Sequence, residues 1–564
     1  MGVIDSAIAS TVKQAVDWYA ANKESGLPYA ISALAVLVVV VFWSVSSSLN
    51  ATSAGKVWTN IIAYSPIFDQ FRSARVTLKN YIIQNLPPTV KHILPFFGNT
   101  IEYGIDPVKF LQKCQKEYGD TFTFLMLGRM MTFTLGPDGN HFLFNVKLKD
   151  ATAEGAYETL TVPVFGKEVV YDVPNSLFME QKKFVKDALS TAAFKSYLPI
   201  ITYEVKDYLG SVFENLQAGQ ETEIETFQTM SELTIRTAAH CLMGKEIRDG
   251  LRVGSVTKLY HDLDAGFRPI NVFFKWLPLP AYFARDKANL EMTNLFKTIM
   301  KKRKAENDTE TLDVLNGLMR AEYKDGSKPS DDAIAHLMIA LLLGGQHTSS
   351  TTSSWILFEL ARRPDVVADL LKEQSMVLTG KPDTPPHLLP DLDYESLRKL
   401  TLMDCVMKES LRIHTPIHTI MRFVENDVEY KGLIIPKGHF VCAAPQVSHL
   451  TESKFPEPYK FDPLRHLGSD EGSGEWTING VDIAQKSARS LFLPFGAGRH
   501  RCIGEQFAFV QNKTIVSLFI REYVHKLPVD KKTGQTWFPE PDYTSLITIP
   551  KVPRNLLVKK RAEA

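Results

Sequence analysis

The chain has 564 residues, with 64 Lys+Arg against 63 Asp+Glu and a net charge of +1, so it lacks the basic excess of a dedicated nucleic-acid binder. Hydrophobic residues make up 45%, ample for a large core. Five cysteines (Cys114, Cys241, Cys405, Cys442 and Cys502) form no C-x-x-C pair and no disulfide framework, which points the main body to a reducing compartment.

Within residues 1–26, Ile4, Ile8, Val12, Ala15, Val16 and Tyr19 share one helical stripe. It suits an amphipathic helix on the non-cytoplasmic membrane face, or equally a marginal helix of no consequence. Residues 27–45, LPYAISALAVLVVVVFWSV, are nineteen in a row without a charge. That is enough to cross a ~30 Å hydrocarbon core, and Tyr29 and Trp43 stand near the ends as interfacial aromatics do. A transmembrane helix is expected over 27–48. The 26 residues before the apolar run argue against a cleaved signal peptide. Lys13 and Lys23 precede the span and Lys56, Arg72, Arg75 and Lys79 follow it, so the C-terminal side is expected in the cytoplasm. Residues 49–95 should hold a membrane-proximal helix, 68–86, and a hinge marked by Pro87, Pro88 and Pro95. The globular body is expected over 96–564.

In the body, residues 118–127 and 131–135 flank Gly128-Arg129 and read as a β-hairpin. Residues 428–430, 433–435 and 440–442, with Gly432 and Pro436-Lys437-Gly438 between them, read as another small sheet. Ser330-Asp331-Asp332 after Pro329 should cap a helix that runs to about Arg363, where Pro364 stops it. Its length is roughly 50 Å at ~1.5 Å per residue. Mid-helix, Gly344-Gly345-Gln346-His347-Thr348-Ser349 invites a local kink, with the Thr348 hydroxyl free to bond a ligand or the freed carbonyls. A plain packing notch is the competing reading. Residues 380–390 and 468–480 read as polar loops. Most of the rest shows helical periodicity, without βαβ alternation. No G-x-G-x-x-G follows a strand, so the chain offers no dinucleotide site.

The last motif is Phe495-Gly496-Ala497-Gly498-Arg499-His500-Arg501-Cys502-Ile503-Gly504, of the form F-x-x-G-x-[HR]-x-C-x-G. A thiolate is the metal-binding form of cysteine, and nearby positive charge should favour it. Glycines let the loop curl and aim backbone N–H groups at the sulfur. One cysteine cannot complete a zinc or iron–sulfur site, but it can be the sole protein ligand of haem iron. A buried free cysteine in a glycine-rich turn is the bland alternative.

This segment resembles the haem-binding loop of the cytochrome P450 family, and the resemblance runs from about Pro87 to Pro550. It implies a mainly α fold with small β-sheets, haem b held through Cys502, and oxygen activation beside Thr348. Phe495, Gly498 and Gly504 belong to the loop that shapes the haem site. In most members the residue before the threonine is acidic; His347 here resembles the sterol 14α-demethylase subfamily of fungal type, as do residues 161–167 and 171–183. Leu177 departs from the arginine many relatives carry. The same resemblance implies that Tyr157, Tyr171, Lys182, Arg422 and His500 meet the haem propionates. Glu409-Ser410-Leu411-Arg412 and Phe461-Asp462-Pro463-Leu464-Arg465-His466 resemble the family's structural motifs, with Glu409, Arg412 and Arg465 as a buried ion network.

A pocket for substrate or azole is implied at Tyr157, Phe165, Val170, Tyr171, Phe267, Leu343, Gly345, His347, Thr348, Ile417, His418, Met421, Tyr543, Ser545 and Leu546. It is mostly apolar and aromatic, as a flat lipophilic sterol requires. The family chemistry is three successive O2-dependent oxidations of a 14α-methyl sterol, lanosterol or its 24-methylene relative, in ergosterol synthesis. Its electrons come from NADPH through NADPH–cytochrome P450 reductase. Azole inhibitors, membrane lipid and the cytoplasmic face of the endoplasmic reticulum complete the expectation. A fatty-acid or other lipid hydroxylase of the same family, or a haem-thiolate isomerase, are the alternatives.

Overall fold

The computed structural model describes residues 85–561 apart from 95, 218, 253–254, 268–278, 308–310, 312, 470–475, 479–486 and 531–532. The expected terminal, transmembrane and membrane-proximal helices lie outside the described residues. Among the described residues, no helix is long and apolar enough to cross a membrane.

The expected hairpin is present as Thr121–Met126 and Arg129–Thr134, paired antiparallel from Thr121↔Thr134 to Met126↔Arg129. The turn is Leu127-Gly128 rather than Gly128-Arg129, because those are the two residues with left-handed φ, 46° and 77°. Phe122, Phe124, Met131 and Phe133 are buried, and the Phe124 and Phe133 rings stack at 5.5 Å. Residues 88–90, expected in a hinge, lie along this hairpin: Thr123 N donates to Pro88 O and Val90 N to Thr123 O, both at 2.8 Å.

The second expected sheet is divided. Val428–Tyr430 and Leu433–Ile435 pair only with each other. Phe440–Ala443 instead pairs with both Arg129–Thr134 and Ile420–Val424, inside a five-stranded sheet that Ala151–Thr152 completes. All four residues of Phe440–Ala443 are buried, as a strand with a neighbour on each side should be. Residues 468–480 are not wholly loop either, since Leu467–Ser469 pairs with Trp476–Ile478.

The long helix spans Asp331–Ala361, capped by the Ser330 side chain accepting from Ala333 N, with Asp331 and Asp332 in its first turn. Pro364 opens the next helix, Pro364–Thr379. The helix runs without interruption through Gly344-Gly345. It is buried on most of its circumference, with Trp355 and Phe358 fully enclosed, and it packs on Thr226–Met243, Thr401–Ile413 and Glu505–Glu522.

One ion network fixes the cysteine side of the fold. Glu409, on helix Thr401–Ile413, has no exposed surface and is bonded bidentately by Arg412, Nε to Oε2 and Nη2 to Oε1, both at 2.9 Å. Arg465 Nε reaches Oε1 at 2.9 Å, and His466 Nε2 lies 2.8 Å from Oε2. Burial raises the Glu409 carboxyl, but the Arg412 and His466 hydrogen bonds and the nearby Arg412 charge overcome it and bring it down to about 2. A folded value below the unfolded one near 4.3 makes this stabilisation complete above that pH, fading as the pH falls toward 2. Glu409→Gln should lower unfolding free energy by ~3–5 kcal/mol at neutral pH by leaving buried cations unpaired. It should also flatten the acid limb of stability against pH, both read from denaturant midpoints across pH; an unchanged acid limb refutes the assignment.

Candidate functional site

The cysteine loop enters from Leu493, whose carbonyl accepts Gly496 N at 3.0 Å, and closes where Cys502 N donates to Phe495 O at 3.0 Å. Gly498 has φ 63°, and a β-carbon there would meet Phe144 O at 2.9 Å, so the residue is restricted by both backbone and space. Gly504 caps Glu505–Glu522, an 18-residue helix whose N-terminal partial positive charge lies beside Cys502. Arg501 grips Glu505 with Nε and Nη2 at 2.9 and 2.7 Å, and Lys182 Nζ donates to the carbonyls of Arg499 and Arg501 at 3.0 and 2.8 Å.

Cys502 alone among the five cysteines has an exposed side chain. Protein nevertheless crowds the sulfur, and burial is the largest influence on its acidity. Lys182 and Arg501 do favour the thiolate, as the sequence leads one to expect. Burial raises the Cys502 thiol above its ordinary value, and the Gly504 N–H, Lys182 and Arg501 oppose it without prevailing.

Arg422, Tyr157, Tyr171 and His500 are brought together. Arg422 is buried, donates to Met421 O at 2.7 Å, and has no carboxylate within ion-pair distance among the described residues. The Tyr157 hydroxyl accepts Met421 N at 3.0 Å, and its ring stacks on Tyr171 at 5.3 Å. Tyr171 lies 6.1 Å from the His500 ring, which stacks on Phe178 at 5.7 Å. Burial first, then Arg422, Lys182 and Arg499, push His500 down to about 3, so the ring is neutral. Its Nε2 lies 3.3 Å from Asn175 Nδ2, while Nδ1 is buried without a partner. A buried guanidinium, a half-buried ammonium and an orphaned imidazole nitrogen fit a group carrying two carboxylates, as haem does.

On the long helix, Thr348 Oγ1 donates to Gly344 O at 3.0 Å, and β-carbons at Gly344 or Gly345 would meet nothing within 4 Å, so the helix is open there. His347 Nε2 lies 2.6 Å from Asp264 Oδ1, a close approach whose angles fall outside hydrogen-bond geometry. Asp264 ends helix Ser255–Asp264, two residues after Asp262 and three before the expected pocket residue Phe267. Sequence reasoning missed it.

Of the expected pocket residues, Phe165 meets Phe267 edge-on at 5.6 Å, and His418 meets Tyr543 edge-on at 5.6 Å. Val170 has φ 54° and its N–H donates to Gln181 Oε1 at 3.2 Å. Ile417 is exposed, and Met421, Ser545 and Leu546 are half-buried. Thr548 N donates to Pro416 O at 2.8 Å, which ties the Ser545-Leu546 turn to the Ile417-His418 segment. Leu343 is buried in the main core, the same cluster against which Phe165, Val170 and Phe267 pack. Tyr103 was also missed, since it lies in no motif; its hydroxyl donates to Thr419 Oγ1 at 3.1 Å and its ring lies 6.1 Å from His418. Burial lowers His418 to about 4, leaving a neutral, polar tip in an aromatic surround.

The family model for cytochrome P450 matches residues 87–552. The chain is 44% identical over 480 residues to a lanosterol 14-alpha demethylase of Cunninghamella elegans, covering 83% of this chain and 90% of the relative. It is 44% identical over 485 residues to an eburicol 14-alpha-demethylase of Uncinula necator, covering 84% and 90%. Among solved structures, cyanobacterial CYP120A1 with retinoic acid bound superposes with a TM-score of 0.68 at 22% identity, over 85% of this chain and 99% of that one, which speaks for the fold alone. The matched span holds the cysteine loop, the opened long helix and the Glu409 network together, and the chain belongs to the cytochrome P450 family.

Proposed function

We propose that this chain is a sterol 14α-demethylase, acting on lanosterol or its 24-methylene relative in ergosterol synthesis. The observation that carries the reading is 44% identity to lanosterol and eburicol demethylases across the whole body that holds Cys502, Thr348 and the aromatic pocket. Family membership implies haem iron. Haem, when bound, supplies the oxygen activation for three successive oxidations of the 14α-methyl group, which leaves as formate and gives a Δ14 sterol.

The residues present suit that group. Cys502 would hold the haem iron through its sulfur, and Phe495, Gly498 and Gly504 shape its loop. Lys182 has three donors and spends two on loop carbonyls, leaving one for a propionate. Arg422 keeps most of its five N–H groups, and His500 keeps Nδ1. Tyr157 and Tyr171 add hydroxyls from the stacked pair. Iron, if bound here, would have to hold the sulfur as thiolate against the burial that raises the thiol. Thr348 holds a proton at its hydroxyl where the helix is open, and His347 beside Asp264 places a second titratable pair one residue away. The aromatic lining excludes water and orients a rigid hydrocarbon body.

Electrons come from NADPH through NADPH–cytochrome P450 reductase, since the sequence offers no dinucleotide motif of its own. Residues 27–48 anchor the chain as a single transmembrane helix in the endoplasmic reticulum, with 1–26 on the far side and the catalytic body on the cytoplasmic face. This fits a substrate that partitions into lipid. Azole inhibitors would enter the same pocket.

Reconstituted with the reductase, the full chain should convert lanosterol to its Δ14 product with release of formate; absence of both products would sink the reading. Cys502→Ser should abolish the thiolate-type spectrum of the reduced carbon monoxide complex while leaving membrane association intact; a retained spectrum removes the residue as ligand. Thr348→Ala should keep that spectrum, lower turnover about a hundredfold and divert oxygen to peroxide, measured as the ratio of oxygen consumed to product formed.

A further inference from the structure

His449 ends the short helix Pro445–His449 and has no exposed surface. All three of its polar groups that face neighbours are engaged. Its carbonyl accepts Arg412 Nη1 at 2.9 Å, so the guanidinium that neutralises Glu409 also fixes this backbone. Its ring Nε2 accepts the Leu493 N–H at 2.9 Å, and its Nδ1 lies 3.0 Å from Thr415 Oγ1.

The tautomer follows without ambiguity. A backbone N–H can only donate, so Nε2 carries no proton. Thr415 already donates its hydroxyl proton to Leu411 O at 2.8 Å, so it accepts from Nδ1–H. Burial, followed by the nearby Arg412 charge, holds the ring far below the ordinary histidine range, near 3, which keeps it neutral. A protonated ring would set Nε2–H against Leu493 N–H.

What hangs from that ring is the start of the cysteine loop. Leu493 N is held by His449, Leu493 O accepts Gly496 N, and two residues on Phe495 O accepts Cys502 N. Phe492 packs against the His449 ring at 5.3 Å and against His466 of the Glu409 network at 6.2 Å. Neither a helix nor a strand constrains residues 491–497. The ring is thus a fixed point between the ion network and the loop.

We propose that His449 is a positioning residue for the cysteine ligand: its Nδ1–H tautomer suspends Leu493, and through it the Cys502 loop, from the Glu409–Arg412 network. This rests on the reading of Cys502 as the axial ligand. Two amide side chains separate the tether from general stability. In His449→Gln, Oε1 lies as many bonds from the backbone as Nε2 and can accept Leu493 N, while the Thr415 bond is lost. In His449→Asn, Nδ2 stands where Nδ1 stood and can donate to Thr415, but nothing reaches Leu493.

The test uses the full-length holoprotein. It measures amide exchange at Leu493 and Gly496 by mass spectrometry and the fraction of the reduced carbon monoxide complex that loses its thiolate-type band. The Asn variant should exchange Leu493 roughly tenfold faster, the size of one lost buried hydrogen bond, and show a larger thiolate-free fraction. The Gln variant should match the natural protein in both readouts. Equal behaviour of the two variants, or faster exchange spread evenly over the body, overturns the proposal. Cys502→Ser is read separately: if it kept the thiolate spectrum, the ligand reading fails, while loop exchange still reports on the tether.

Discussion

A carboxylate with no solvent contact organises the half of the molecule that carries the cysteine. Glu409 sits on helix Thr401–Ile413, Arg465 and His466 come from a turn more than fifty residues later, and Arg412 reaches on to the carbonyls of His449 and Pro458. Segments that share no sheet are therefore held to one charged centre. The arrangement is strong only while complete, because burying any one of these charges unpaired costs several kcal/mol. Completeness is what gives the unstructured stretch 491–497 a definite path toward the sulfur.

The opposite electrostatic situation marks the side that carries Tyr157, Tyr171 and His500. Among the described residues, Arg422 and Lys182 are cations without carboxylate partners, and His500 keeps a nitrogen that nothing satisfies. A fold that pairs Glu409 three times and leaves these groups uncommitted is not short of acidic residues, since acidic and basic totals match almost evenly. The unpaired cations lie together with stacked Tyr157 and Tyr171, so the imbalance is local. Local imbalance of this kind favours a bound anion over a rearranged side chain.

Much of this was legible in the sequence, and the limits have physical causes. The long helix was readable because its cap, its acidic first turn and the proline beyond it are all local signals, and the observed bounds differ by about one turn or less. The hairpin turn was displaced by one residue because Leu127, not Arg129, takes the left-handed conformation, a choice that side-chain chemistry does not announce. Phe440–Ala443 was grouped with its sequence neighbours although it pairs with strands far away in sequence, which periodicity cannot report. Arg465 was found by motif, whereas His466, the next residue, was not, because a histidine's value here depends on a carboxylate 57 positions earlier. For Cys502 the sequence shows the cations that favour the thiolate but not the burial that outweighs them.

The run from Thr348 to Ser354 shows how packing turns one residue type into different chemistry. Seven consecutive hydroxyl residues in a buried helix are tolerable because most bond back to a carbonyl one turn earlier: Thr348 to Gly344, Thr352 to Thr348, Ser353 to Ser349, Ser354 to Ser350. Such a bond is worth about 1 kcal/mol net, so a competing ligand can replace it wherever one can reach. Ser353 is out of reach, enclosed and also bonded to Asn512 of the helix that follows the cysteine loop. Thr348 is within reach, half-buried and flanked by Gly344 and Gly345, where side chains are missing and no neighbour fills the space. The glycines, rather than the threonine itself, decide which hydroxyl of the seven is available to react.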